Sequence, residues 1–502
     1  MTTTTLNTLF FKIWNDKYLQ DNILTQLFEN VTIGVSTQYL IQNQSFLKRA
    51  CKYIDIKYRL DKDSFVQFGQ LQSDQLRLIS DLIIVHNNTT ISDVYPVFAS
   101  LRKLYLSNVY LTDIEYTQVI KLFVKRYHHS LTDLELSKPN SISRDLELYS
   151  MSKLKFFKLF AIDGGIEVNA LPHCLETLDI YKTQVKLVKG LLPETLRRLI
   201  AGVISTVDGS RLPVALETLK CESCGDFPPL WLPNNLKSLR ISRDDFSLVP
   251  GSLPSSLLKI KFYCFNKPLV EKNIFPQGLK KLYLSAFNST IEPFVLPNGL
   301  TSLILIFFNP TKLASGVIPS TVTFFHAPSL TNPIPISLST TTKMRIRRMA
   351  DLEENPIPST IKDLVLHVYQ PPLGSIPNSV TRLDLECGKL SPGLIPTSVT
   401  HLRLSLLNQE IDLTDLLPKS ITTLILEKVI GKTWKKGEIP DSVTKLSIMG
   451  VTRYYSEDAI PPSVVVLKSL YDLPFSKIPR TVRTFIQDGQ FMDLSNHHHS
   501  HN

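Results

Sequence analysis

Three stretches hold residue types whose spacing could do chemistry. Cys221 and Cys224 stand three apart, the spacing of half a zinc site or of a thiol–disulfide pair. No second pair and no histidine set accompanies them, so a metal ion would lack ligands. Cys221 also falls at an inward strand position, and the reading is a core cysteine. Gly431, Lys432 and Thr433 resemble the end of a phosphate-binding loop, but Leu426 stands where that loop needs glycine. The histidine tract at 497–501 belongs to a low-complexity tail. No serine elbow or zinc-protease motif occurs, and the carboxylates form no recognisable set. The expectation is a protein that is not an enzyme, with no catalytic residues, cofactor or metal; an enzyme of unrecognised type stays as an alternative without residues to name.

The elements that would position any site come from one phrase written many times. In GLIPTSVTHLRLS (393–405) a proline precedes alternating apolar and polar residues, and close copies recur at IPNSVTRLDL, IPDSVTKLSI and LPKSITTLIL. Prolines at 172, 193, 213, 233, 254, 276, 297, 319, 335, 358, 377, 396, 418, 440, 461 and 479 open sixteen copies, mostly 18 to 23 residues apart. With the proline at position zero, offsets +3, +6 and +8 are apolar almost throughout, as in Leu236, Leu239 and Ile241 or Val380, Leu383 and Leu385. The +6/+8 spacing is that of a half-buried strand, and proline belongs at the bend before it because it cannot donate to a sheet ladder. So short a repeat leaves no room for a full helix on its back. Each coil cannot bury its apolar face alone, and stacked neighbours do it together. The gap of 16 residues from Pro319 to Pro335 suggests an irregular coil at 335–357. Upstream, the same rhythm without proline at 79–84, 101–106, 131–136 and 154–159 indicates divergent coils with insertions.

This rhythm resembles leucine-rich repeats, with one departure. The slot of their ladder asparagine, offset +11, holds Phe265, Phe287, Phe308, Tyr369, Leu407 and Val429, and asparagine follows one residue later at Asn266, Asn288, Asn309 and Asn408. A stacked apolar spine is expected to replace the asparagine ladder. FNKPL (265–269) and SPGLIPTSVTHLRL (391–404) carry a resemblance to the FNIP repeat family, over 172 to about 487, three fifths of the chain. The resemblance implies a repeat solenoid, mainly β, a leucine-rich-repeat-like right-handed coil of about 20 short parallel strands with a small helical N-terminal cap. It also implies protein binding, and some members of that family carry an F-box ahead of the repeats.

Composition agrees with a folded chain: 502 residues, 43% hydrophobic and 20% charged, with 32 prolines against 19 glycines. The start does not read as a signal peptide, because Lys12 interrupts its apolar run, and LTSLILIFF is too short to cross a bilayer as a helix. With six scattered cysteines, a cytoplasmic protein without membrane insertion is expected. The organisation expected is a helical cap at 1–75, divergent coils at 76–171, repeats at 172–490 and a disordered tail at 491–502. Phe10, Ile13, Trp14, Leu24 and Leu27 have helical spacing, and 46–60 could supply a second helix or a helix-to-strand transition. This segment reads either as a cap over the first coil or as a degenerate F-box-like module.

Offsets +5 and +7 must point outward, on what would be the concave sheet. Arg198, Lys220, Arg240, Lys259, Lys261 and Lys281 occupy them over five consecutive copies, with no acid; Tyr283 shares these columns, and Ile304, Ile306 (at +9) and Phe324 follow. These ten residues are the candidate partner-binding set. Either they hold an acidic protein or peptide, or the lysines merely keep a long sheet soluble while the odd coil covers the apolar patch. The net charge of +10 permits anionic partners without demanding nucleic acid, and the aromatics are too sparse to stack single strands. The leading reading is a non-enzymatic interaction scaffold; a ubiquitin-ligase substrate adaptor is the alternative.

Overall fold

The computed structural model describes residues 24–26 and 31–492, apart from 62–63, 65–66, 86–97, 108–111, 138, 140, 161–164, 207–209, 227–230, 244–245, 310–313, 329–340, 348–356, 407–411, 428–432, 450–453, 456–457, 471–472, 474–475 and 477. The chain falls into two compact units, one of Met1–Gly225 with Leu230–Leu236, the other of Asp226–Pro229 with Lys237–Asn502. Within each, one short strand per coil hydrogen-bonds in parallel to the strand of the coil before.

In the first unit the ladder runs through β1 (Thr32–Val35), β2 (Asp55–Leu60), β3 (Asp81–Val85), β4 (Lys103–Ser107), β5 (Asp133–Leu136), β6 (Phe156–Leu159), β7 (Thr177–Ile180), β8 (Arg198–Ala201) and β9 (Thr218–Cys221). Helices α1 (Thr37–Gln42) and α2 (Gln44–Ala50) lie between β1 and β2, so 46–60 is a helix-to-strand transition. The apolar run at 9–28 lies outside the described residues except 24–26, which are helical. One insertion among the divergent coils is a fifteen-residue helix, α3 (Asp113–Tyr127), opened by a Thr112–Glu115 capping box and burying Tyr116, Ile120, Phe123 and Val124.

The second unit continues with β10 (Ser238–Ile241), β11 (Lys259–Phe262), β12 (Lys281–Leu284), β13 (Ser302–Leu305), β14 (Phe324–His326), β15 (Lys343–Arg347), β16 (Asp363–His367), β17 (Arg382–Cys387), β18 (His401–Leu406), β19 (Thr423–Glu427), β20 (Lys445–Ile448), β21 (Val466–Ser469) and β22 (Thr484–Gln487). A last strand, β23 (Gln490–Met492), turns back antiparallel to β22 through Asp488 and Gly489, both at positive φ. The backs of the proline-marked coils are turns and short extended pieces, as their length requires.

The repeated phrase is spent on closing corners. Leu402 and Leu404 are buried at +6 and +8, and Val399 at +3. The Val399 N–H donates to Pro396 O at 3.1 Å, which makes the bend. Ser398, two after the proline, donates its hydroxyl to Val380 O at 2.8 Å, and Thr400 donates to Thr381 O at 3.3 Å. The serine contact recurs at Ser379, Ser420, Ser442 and Ser463, so hydroxyls stitch each corner to the coil before. Three residues before the proline the backbone is left-handed, at Gly251, Asn273, Gly316, Gly374, Gly393, Asp415, Gly437 and Asp458. Phe294 holds that place in one coil at φ 66, a conformation a bulky residue adopts only under strain; its ring lies against Gly316, where a Cβ would come within 2.8 Å of it.

The strand of the coil expected to be irregular pairs in ordinary register. Thr342 and Lys343 both donate to Thr323 O, the contact made elsewhere by residues four and five after the proline, and Lys343 pairs with Phe324. Counting back from this strand, position zero falls at residue 338 in the sequence, 19 after Pro319 and 20 before Pro358. Residues 329–340 themselves lie outside the described residues. Thr341 fills the +3 place, fully buried, with its hydroxyl on Val322 O at 2.8 Å.

The spine is also corrected in part. Phe265, Phe287 and Phe308 are buried and stack at 6.2 and 5.8 Å, with Phe246 joining Phe265 at 5.4 Å. They do not replace an asparagine ladder. The Asn288 N–H donates to Asn266 Oδ1 at 2.7 Å and the Asn309 N–H to Asn288 Oδ1 at 2.9 Å, one residue further on. Tyr369 leaves the spine and is 67% exposed. The next coil offers Gly388 in the same slot, and the ring lies over that glycine, so close that a Cβ there would clash at 2.2 Å. Leu407, Val429 and Asn408 lie outside the described residues.

Phe287→Ala removes a ring packed between two others and is expected to cost about 3–5 kcal/mol, read as a lower denaturant midpoint of the full chain. Phe294→Asn relieves the strained turn and is expected to raise stability by about 0.5–1 kcal/mol on the same measurement; a loss would show that the ring's packing outweighs the backbone strain.

Candidate functional site

Alternation along each strand decides which side chains leave the interior. In the second unit, cross-strand pairing sets Ser238, Lys259, Lys281, Ser302 and Phe324 in one row, and Arg240, Lys261, Tyr283, Ile304 and His326 in the next. One step further along, Tyr263 donates its N–H to Ile241 O, and Ile306 to Leu284 O, which starts a third outward row. Lys259 and Lys281 are exposed; Arg240, Lys261, Tyr263, Tyr283, Ile304, Ile306 and Phe324 are half-buried beside one another.

Four cations thus share three adjacent strands. Arg240, Lys259, Lys261 and Lys281 meet no carboxylate among the described residues. Arg240 lies over the Tyr263 ring at 4.7 Å and Lys261 over Tyr283 at 5.6 Å, while the two tyrosines pack at 5.1 Å. Partial burial, then the neighbouring Lys261 and Lys281 ammonium groups, lowers the Lys259 amine below its usual pKa. Later strands of the same unit settle their charge differently. Lys343 meets Asp363 at 3.4 Å, and Arg403 meets Asp384 at 3.8 Å and Glu427 at 2.6 Å.

The structure therefore brings together eight of the ten expected residues. Arg198 and Lys220 belong to the first unit, where they are not cross-strand partners: Arg198 pairs with Thr218, and Lys220 with Ile200. Asp179 stands across from Ile200, so acid shares that face. Elsewhere in the unit a cleft of about 490 Å³ mixes Lys57, Arg59 and Lys103 with Asp81, Asp133 and Glu135. Tyr263, Phe307 (59% exposed) and Arg345, whose guanidinium lies 5.8 Å from the Phe324 ring, extend the candidate patch. Tyr263 was legible by carrying the alternation two residues past Lys261. Arg345 was not, because its register depended on the displaced proline.

Cys221 is buried in the inward column and Cys224 half-buried, both as free thiols. Among the described residues no cluster of histidine, cysteine, aspartate or glutamate could hold a metal ion, and no helix is long and apolar enough to cross a membrane. Gly431, Lys432 and the tail at 497–501 lie outside the described residues.

Residues 226–264 and 265–308, which include most of the charged patch, match the FNIP Repeat family model. Among curated proteins no sequence matches this chain. Of solved structures, the fold is similar to CroV588, described as a novel circular LRR protein, at TM-score 0.61 and 19% identity over 91% of this chain and 76% of that one. YopM, a leucine-rich effector protein from Yersinia pestis, aligns at TM-score 0.38 and 18% identity over 75% of this chain and 99% of that one. Stacked parallel coils, their buried leucine columns and the likeness to CroV588 make the chain a leucine-rich-repeat-like β-solenoid, and its residues 226–308 match FNIP repeats.

Proposed function

We propose that the chain is a non-enzymatic interaction scaffold that binds an acidic protein or peptide on the outward sheet face of its second unit. The observation that carries this reading is the row Lys259–Lys281, flanked by Arg240 and Lys261, without a carboxylate on any of the three strands. Like charges directly across a ladder cost a few tenths of a kcal/mol or more each. A face that needed only solubility could be neutralised as β15 to β19 are, at no cost to the interior. The half-buried Ile304, Ile306 and Phe324 next to the cations supply the apolar contact that a partner surface requires. Six free thiols support placing the protein in the cytoplasm.

A second reading, a ubiquitin-ligase substrate adaptor with an F-box-like N-terminal segment, is favoured by Tyr39, Ile41 and Phe46, which are 40%, 42% and 49% exposed on α1 and α2. Ile41→Asp with Phe46→Asp should then abolish co-purification of a cullin-type adaptor; the scaffold reading leaves recovery of partners unchanged.

Reversing charge at Arg240, Lys259 and Lys261 to glutamate should reduce capture of the acidic partner at least tenfold, in a pull-down quantified by mass spectrometry. The wild-type capture should weaken as salt is raised from 50 to 500 mM, because screening shortens the reach of exposed charges. Capture that survives both treatments counts against the face.

A further inference from the structure

The chemistry of the patch changes in one direction only. Along β11 a ligand would meet Lys259, Lys261 and Tyr263; along β13 it would meet Ser302, Ile304 and Ile306. Only a ligand laid across the strands, from β10 toward β14, meets cations first and apolar side chains afterwards. The strands themselves offer it no backbone bonds, since β11, β12 and β13 are each paired on both edges. Recognition must come from side chains alone, and charge followed by grease sets what fits.

We infer that the ligand of this face is an extended acidic protein segment in which an apolar residue lies two places beyond the second of two alternate acids. This rests on the reading of the face as an acidic-partner site and specifies the partner. The spacing follows from two repeats. Neighbouring strands are about 4.8 Å apart, so the step from Arg240 on β10 to Ile304 on β13 is roughly 14 Å. An extended chain presents every second side chain to the same side, about 6.6 Å apart, so its first and fifth residues span about 13 Å. Acids at the first and third places then fall over Arg240 and between Lys261 and Lys281. The fifth side chain falls against Ile304 and Ile306. Tyr263 and Tyr283, packed at a tilt between the two regions, cover the crossing with ring faces already occupied by Arg240 and Lys261. Their cations are held in place before any ligand arrives, which lowers the ordering cost of binding.

Three fluorescein-labelled peptides test this on the full chain by anisotropy. One has the core Glu-Ser-Glu-Ser-Leu, a second Glu-Ser-Glu-Leu-Ser, and a third replaces the leucine by serine. The first should bind at least tenfold tighter than the other two. Ile304→Asp should remove that difference, with Ile304→Thr as a milder variant should the aspartate unfold the chain, which circular dichroism would show. Lys259→Glu with Lys261→Glu should abolish binding of all three. Equal affinity for the three peptides, or tightest binding of the one without leucine, overturns the spacing while leaving an acidic partner in place. Failure of all three to bind overturns the inference together with the reading beneath it.

Discussion

A single turn of this chain has no interior. Its three inward residues lie on one short strand and the bend leading into it, and nothing within the same turn covers them. The cover comes from the turns above and below, so every coil is stable only in company. From this constraint follow the constant length, the fixed corner and the repeated wording. In IPTSVTHLRL the proline bends the chain, Ser398 and Thr400 tie the bend to the preceding coil, and Val399, Leu402 and Leu404 are the shared wall. Only Thr397, His401 and Arg403 among these residues are released from the interior.

What the fold leaves free is the outward face of each strand. The outward positions of β10 to β14, with the residues just after β11 and β13, hold four cations, two packed tyrosines and two isoleucines in sorted order. Further along the same unit the outward positions alternate in sign and pair off. One scaffold thus carries two arrangements of outward charge, unpaired on β10 to β12 and paired from β15 to β19.

Much of this was readable from residue types. Period-two spacing after a proline gives strand, inward column and outward column together, which is why eight candidate residues meet on one face. The failures have identifiable physical causes. Pro335 is a poor guide because a proline marks register only when the strand lies at its usual distance, and the pairing of Lys343 with Phe324 puts the strand three residues later than Pro335 implies. Tyr369 misled because a spine needs a partner in the next coil, and Gly388 supplies none. The asparagine ladder survives beside the aromatic spine because an amide can serve the same loop from one place further along. The hydroxyl ties of Ser398 and its counterparts were missed because serine and threonine look like filler until the carbonyl opposite is known. Arg198 and Lys220 belong to the other compact unit, a division of which sequence adjacency carries no sign.

The turned-back strand β23 has a role beyond ordering the last few residues. A stack of parallel coils presents at its end a row of unanswered amides and carbonyls, matched in rise and direction to the start of any other such stack. By running the opposite way over three residues, Gln490 to Met492, the chain answers the edge of β22 with an antiparallel partner. Among the described residues the parallel ladder therefore ends on a strand whose hydrogen-bonding groups are spaced in the alternating antiparallel manner, unlike those of every coil before it.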